Sequence, residues 1–150
     1  RFLIGEFDQI KSFVDNNYWN FDVEDNAFAL LKNSTTGCTG SIHSTATQWQ
    51  HKFSLEIALE YGSINLGGIL SGTKSYGEES ICIFRRHDSN HGTGNEHITK
   101  FIEDYSWERE INAFYNAVAE GSKNYPNSIK EAIATQLLIE KIYSESGFYR

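Results

Sequence analysis

The sequence predicts an α+β fold, in which an open, mostly antiparallel β-sheet is covered on one face by two C-terminal helices. Two observations lead to this prediction. Roughly the first hundred residues contain short segments in which apolar and polar side chains alternate with a period of two, separated by Gly, Asn and Ser. After residue 105 the apolar period changes to that of an amphipathic helix. Strands followed by helices are typical of the α+β class.

The strand predictions depend on alternation and on turn residues. In the clearest segment, from Phe53 to Leu59, apolar residues alternate strictly with polar or small ones, which is typical of a strand with one buried face. The run from Asn33 to Gly37 predicts a hairpin turn in which the glycine supplies a positive φ. Strands are predicted at 7–19, 23–31, 39–49, 53–59, 64–66, 80–85 and 97–102.

The two helices are predicted from their ends as well as from their periodicity. Ser106 is the expected N-cap of the first helix, and Gly121 the expected end. The second helix begins with the capping-box pair Ser128 and Glu131 and ends at Gly147. The first helix carries one apolar stripe, formed by Trp107, Ile111, Phe114 and Val118.

Composition narrows the class of protein. A chain of 150 residues suits one domain spanning 1–150, large enough to bury a core without disulfides. The sequence starts at Arg1 and contains no Met, so we expect a fragment of a longer, cytoplasmic protein without a secretion signal. A net charge of −7 disfavours nucleic acid and membrane surfaces as partners. Cys38 and Cys82 are expected to be buried free thiols, with a disulfide as the alternative.

Two motifs suggest ligands but lack the necessary context. The glycine-rich run 67–75 has Thr73 where a phosphate-binding loop needs lysine, so its glycines are expected at a bulge or a close backbone approach. His87 and His91 have metal-ligand spacing with Asp88 nearby, but the residues around them predict a solvated loop rather than a helix. We expect no metal site here.

Two carboxylate pairs also fail as catalytic sites. Glu24 and Asp25 are adjacent, as are Glu78 and Glu79. Adjacent residues in a strand point to opposite faces of the sheet, so neither pair forms an acid/base site by itself. We therefore expect no catalytic residue in this chain.

The segment 43–51 is the candidate binding site. Its polar groups and one large ring are those that a polyol or sugar ring needs, namely fixed hydrogen bonds and an aromatic platform. The alternative is a hydrophilic strand end with Trp49 packed in the core. The candidate substrate contacts are Ser44, Thr45, Gln48, Trp49 and His51.

Several of these segments together resemble a known family. Val23-Glu24-Asp25-Asn26-Ala27, a strand ending at Gly37, the run from Ser41 to Phe53, Leu55-Glu56-Ile57 before Gly62, and Ser106-Trp107-Glu108-Arg109-Glu110-Ile111 follow one another in this order. This order is similar to that of the C-terminal domain of the Gfo/Idh/MocA oxidoreductases, the glucose–fructose oxidoreductase and inositol dehydrogenase family. The resemblance covers nearly the whole chain.

The resemblance implies a division of labour. Family members bind NAD or NADP in an N-terminal Rossmann domain, with a catalytic lysine in a Glu-Lys-Pro motif and a histidine in an Asp-x-Gly-x-His motif. The sequence contains neither motif and no dinucleotide fingerprint. The family therefore implies that this chain is the substrate-binding and oligomerisation domain of a dehydrogenase for a sugar, nucleotide sugar or cyclitol, binding no cofactor itself.

Two further expectations concern partners. Alternate strands carry more aromatic residues than two helices can cover, which predicts a homo-oligomer formed through the open sheet face. These residues are Phe28, Phe53, Phe84 and Phe101. The alternative to an enzyme domain is a non-enzymatic carbohydrate-binding or assembly module that uses an exposed sheet face.

Overall fold

The structure is a computed structural model that describes residues 1–70, 73, 75–87, 94–121 and 128–148. The described residues form strands followed by two helices, which confirms the α+β class. The chain divides into two compact units, Arg1–Gln48 with Ala119–Arg150, and Trp49–Val118. The elements are β1 (Gln9–Asp15), β2 (Asn26–Lys32), β3 (Thr39–Thr45), β4 (Ser54–Leu59), β5 (Gly62–Gly67), β6 (Glu79–Arg86), β7 (Gly94–Phe101), α1 (Ser106–Ala119) and α2 (Ile129–Ser146).

The first unit contains an antiparallel sheet in the order β1-β2-β3, with α2 packed against β1. Phe7, Ala29 and Leu31 form its buried core, and Leu138 and Ile142 of α2 pack against them. On β1 the buried residues alternate with exposed ones, as one covered face requires. This face and α2 make the core of the unit.

The second unit contains a separate antiparallel sheet in the order β4-β5-β6-β7. The alternation expected from Phe53 to Leu59 is present only in its middle, where Leu55 and Ile57 are half-buried between exposed neighbours. Phe53 and Leu59, which were expected on the same buried face, are exposed. The sequence therefore located the strands, but they form two sheets rather than the expected one. The periodicity of a strand reports which of its faces is buried and says nothing about which sheet it joins.

Helix α2 begins and ends as predicted. The Ser128 hydroxyl accepts a hydrogen bond from the Glu131 N–H, and Gly147 adopts the left-handed conformation with φ of 74°. Helix α1 begins at Ser106, so this residue is the first residue of the helix rather than its N-cap. The carboxylate of Asp104 caps it instead, accepting from the Ser106 N–H at 2.9 Å. Asp competes well for this role because its side chain reaches nearby backbone N–H groups.

The apolar stripe of α1 is not buried in this structure. Trp107, Ile111, Phe114 and Val118 are all exposed, with Trp107 at 75%. The contacts that place a helix on a sheet belong to α2, which packs on β1. The helical periodicity was predicted correctly, whereas the covering of this stripe is not seen among the described residues.

Glycines hold two predicted backbone positions. Gly37 has φ of 75° and donates its N–H to the Asn33 carbonyl at 2.8 Å, which confirms the hairpin turn. Gly68 has φ of 73°, and a Cβ at this position would lie 2.2 Å from the Glu78 carbonyl oxygen. This confirms the predicted close backbone approach at Gly68, while residues 71, 72 and 74 of the same run lie outside the described residues.

The remaining predictions have mixed outcomes. Both cysteines are free, but Cys38 is exposed and Cys82 is only half-buried, so their expected burial was wrong.

His91 and Asp88 lie outside the described residues. Within the described ranges, no group of three or more potential metal ligands occurs. None of the helices in those ranges is both long and apolar enough to span a membrane.

Candidate functional site

The five predicted contact residues divide between the two units. Ser44, Thr45 and Gln48 belong to the first unit, whereas Trp49 and His51 belong to the second. Each group is described within its own unit.

In the first unit, Ser44 and Thr45 end strand β3 and point to opposite faces of the sheet. The Thr45 hydroxyl donates to the Asp25 carbonyl at 3.1 Å and accepts from the Thr47 N–H at 3.1 Å and from the Thr47 hydroxyl at 2.8 Å. A hydroxyl has one donor and two acceptor positions, so Thr45 is saturated within the protein. The side chains of Ser44 and Gln48 are exposed and open to a ligand.

The buried Asp25 fixes the neighbourhood of this strand end. Its carboxylate accepts from the backbone N–H groups of Tyr18 and Trp19 at 2.8 and 3.0 Å, and its carbonyl accepts from the Ala46 N–H at 2.8 Å. Asp25 thereby connects the 17–19 turn, through its side chain, to the segment that follows β3, through its backbone carbonyl. Its adjacent carboxylate, Glu24, accepts from the Tyr143 hydroxyl at 2.6 Å, so the pair is structural.

An aromatic cluster lies beside this strand end. The Trp19 indole N–H donates to the Ala46 carbonyl at 3.0 Å. The rings of Trp19 and Phe21 are parallel, with centroids 6.2 Å apart, and Tyr18 meets Trp19 edge-on. These three residues place exposed aromatic rings beside the end of β3, and they were not among the predicted contact residues. The sequence contains a signal for this cluster, because three of the four residues after Asn16-Asn17 are aromatic.

In the second unit, Trp49 and His51 precede β4. Trp49 is 97% exposed, so the alternative in which it packs in the core does not hold. His51 is also exposed, and its ring lies 5.0 Å from that of Tyr76 at a tilt of 47°. Both side chains are accessible to a ligand.

The second unit also has a cavity of about 740 Å³ at one end of its sheet. The start of β4, the end of β5, the start of β6, the end of β7 and the first turn of α1 surround it. Its apolar lining includes Phe53, Leu66, Ile81 and Phe101. This volume is within the usual range for small-molecule pockets.

Charged and polar groups also line this cavity. Glu79 accepts from the Leu70 N–H at 2.8 Å. Lys100 forms an ion pair with Glu78 at 2.6 Å, which lowers the pKa of that carboxyl. Arg109, on α1, also lines the cavity, and its guanidinium has no ion-pair or hydrogen-bond partner among the described residues.

Two neighbouring groups on the same side have shifted pKa values. The Tyr105 hydroxyl donates to Glu103, and this hydrogen bond raises the pKa of the tyrosine. Hydrogen bonds from Ser106 lower the pKa of the Asp104 carboxyl. At neutral pH Tyr105 therefore remains a hydroxyl, and Asp104 a carboxylate.

Cys82 is poorly suited to act as a nucleophile. Its S–H donates to Glu96 at 2.9 Å, and this hydrogen bond, with desolvation, raises the pKa of the thiol. A protonated thiol is a poor nucleophile. The described groups are suited to binding through hydrogen bonds, ring faces and a free cation.

Comparison with known proteins supports the fold. No family model matches the chain, and no curated protein matches it. Among solved structures, it is similar to that of the "YPO2259 putative oxidoreductase" from Yersinia pestis, with a TM-score of 0.65 and 16% sequence identity. The likeness covers 92% of this chain and 41% of that one. At this identity it shows a shared fold, and the chain spans less than half the length of the Yersinia protein.

Proposed function

We propose that the chain is the substrate-binding and oligomerisation part of an NAD(P)-dependent oxidoreductase of the Gfo/Idh/MocA family. The observation that carries the proposal is the fold likeness over 92% of the chain to the "YPO2259 putative oxidoreductase". Because the likeness covers only 41% of that longer chain, the remainder of such a protein has room for a cofactor-binding domain.

The proposed substrate is a sugar, nucleotide sugar or cyclitol. Its carbinol carbon would transfer a hydride to NAD or NADP held by the other domain, and a Lys/His pair outside this chain would handle the hydroxyl proton. This chain would bind and orient the substrate. The exposed polar groups and aromatic rings at the end of β3 and before β4 support this role, because polyols need both kinds of contact.

We assign the substrate contacts from the polar groups and rings that each side chain presents to solvent. Ser44 and Gln48 offer unoccupied polar groups, while Trp49 offers an exposed ring and His51 a ring nitrogen. Thr45 is retained as a site residue that shapes the 45–47 turn, because its own hydrogen bonds are filled.

A homo-oligomer through the open face of the first sheet is part of the same proposal. Phe13 and Phe28 are paired across β1 and β2, and Leu30 lies on the same face two residues further along β2. All three are exposed. Adjacent exposed apolar side chains on one sheet face are typical of an interface.

The deciding experiment uses the full-length open reading frame. A dinucleotide-binding fingerprint upstream of Arg1, together with NAD(P)-dependent oxidation of a sugar or cyclitol by the purified product, is the expected result. A protein that has no such domain and turns over no member of a sugar and cyclitol panel would instead be the non-enzymatic carbohydrate-binding or assembly module.

A further inference from the structure

We infer that the cavity of the second unit binds a small hydroxylated carboxylate of the sugar-acid class, with Arg109 pairing with the ligand's carboxylate. The inference concerns binding alone, so it stands or falls independently of the proposed hydride transfer. It begins from an imbalance among the charged groups of the cavity.

The two cations of the cavity differ in what they already bind. Lys100 is paired with Glu78, whereas the Arg109 guanidinium has no such partner in the described ranges. A guanidinium is always charged and presents a planar fork of donors that matches a carboxylate in two parallel hydrogen bonds. The free cation of this cavity is therefore suited to an anionic group on a ligand.

The charge of the cavity favours a carboxylate over a phosphate. Glu79, Glu103 and Asp104 line the same cavity as Arg109. A phosphate monoester carries nearly two negative charges at neutral pH. The single positive charge of Arg109 would neutralise only part of a phosphate's charge, and the remainder would face three carboxyl groups. The same guanidinium fully neutralises a ligand that carries one carboxylate.

The rest of the ligand should carry hydroxyl groups and an apolar face. Glu79 uses one carboxylate oxygen on the Leu70 N–H and keeps the other for a hydroxyl donor. Ser80 also contributes a hydroxyl to the lining, and Phe53 and Phe101 contribute apolar surface for C–H groups. Carboxylate acceptors beside aromatic rings suit a sugar ring.

The test measures binding of D-glucuronate to the protein by calorimetry, and maps it by amide NMR. Neutral D-glucose and D-glucose 6-phosphate serve as comparison ligands. The variant is Arg109→Gln, and the matched control is Arg85→Gln, an exposed arginine on β6 outside the cavity lining. Both variants keep a long polar side chain, and thermal unfolding checks that they remain folded.

We expect glucuronate to bind more tightly than either comparison ligand and to shift amide signals at 68–70 and 100–106. Arg109→Gln should weaken this binding about tenfold or more, as loss of a charge-assisted bidentate pair does. Arg85→Gln should leave it unchanged. The inference is overturned if glucuronate does not bind, or if glucose or glucose 6-phosphate binds as tightly as glucuronate. It is also overturned if a folded Arg109→Gln variant retains full affinity for glucuronate.

Discussion

At the residue scale, replacement of Trp49 distinguishes between a role in binding substrate and a role in packing the core. Because Trp49 is 97% exposed, we expect Trp49→Ala to change the free energy of unfolding by less than about 0.5 kcal/mol. The buried Leu31 is the control, since Leu31→Ala should cost about 2–5 kcal/mol. If the full-length protein is the proposed oxidoreductase, Trp49→Ala should cost about 1–3 kcal/mol in its kcat/KM through lost positioning of the substrate.

Thermal unfolding and steady-state kinetics measure these two effects. His51→Ala should likewise raise KM or lower kcat/KM without the near-total loss that removal of a catalytic base causes. A Trp49→Ala variant with reduced stability and unchanged kinetics per folded molecule would show that this segment is scaffold.

The two thiols should differ in reactivity. Cys38 is exposed, whereas Cys82 is half-buried and its pKa is raised by the hydrogen bond to Glu96. The thiolate is the reactive form, so at mildly alkaline pH iodoacetamide should alkylate Cys38 first. Glu96→Gln removes the carboxylate that disfavours the thiolate and should speed alkylation of Cys82.

Peptide mass mapping over time follows both sites in one sample. Cys38 is the internal control for the Glu96→Gln variant and should react at its original rate. Equal rates at the two cysteines of the unaltered protein would contradict the assigned Cys82–Glu96 hydrogen bond.

Single residues also explain what the sequence could not reveal about the candidate site. The aromatic residues at 18–21 are visible in the sequence, but their place beside β3 depends on hydrogen bonds made by Asp25 and by the Trp19 indole. Such contacts are made by irregular segments and leave no periodic pattern in the sequence. The hydroxyl of Thr45 was likewise identified as a polar group, whereas its saturation depends on Thr47 and on the Asp25 carbonyl.

At the element scale, two glycines test the predicted backbone positions. Gly147 ends α2 with φ of 74°, and a Cβ there would meet no atom within 4 Å. Gly147→Ala should therefore cost about 1 kcal/mol from backbone strain alone. Gly68 has a similar φ, but its Cβ would lie 2.2 Å from a backbone oxygen. Gly68→Ala should destabilise the protein considerably more than Gly147→Ala.

Urea unfolding of the two variants gives the comparison directly. Gly147→Asn is the control, because Asn adopts the left-handed region more readily than Ala and should recover part of the loss. Equal costs for Gly68→Ala and Gly147→Ala would contradict the close approach between Gly68 and Glu78.

The elements differ in how well the sequence predicted them. Helix α2 was predicted at both ends because its caps are local, with Ser128, Glu131 and Gly147 each acting within a few residues. The expected end of β3 at Trp49 was four residues too late, since nothing in the composition of residues 46–49 marks the end of a strand. The division into two sheets was not predicted, because pairing partners are set by contacts distant in sequence.

At the scale of the whole molecule, the proposed division of labour predicts that this chain alone does not bind NADH. The sequence contains no dinucleotide fingerprint, whose glycines let the backbone approach the pyrophosphate at a helix N-terminus. Titration of NADH followed by its fluorescence should show no saturation, whereas the full-length protein should bind. Saturable binding to the chain alone would contradict its assignment as the half that does not hold the cofactor.

Oligomerisation is the second prediction at this scale, and the structure restricts where to test it. Of the aromatics expected at the interface, Phe28 lies in the first unit, and Phe53, Phe84 and Phe101 lie in the second. On the open face of the first sheet, Phe28 adjoins Phe13 and Leu30, which are 78% and 64% exposed. The His43 ring stacks on Phe28 with centroids 3.8 Å apart and covers only part of this patch.

We therefore expect light scattering to show a dimer at high protein concentration and a monomer on dilution. Replacing both Phe13 and Leu30 with lysine should weaken the dimer about tenfold or more, because central apolar contacts carry most of an interface's energy and buried charges oppose it. Leu3→Lys is the control, since Leu3 is an exposed apolar residue of the same unit outside its three strands. The prediction is contradicted if the protein remains monomeric at every concentration. It is also contradicted if the dimer survives the double substitution, because the interface would then lie outside this sheet face.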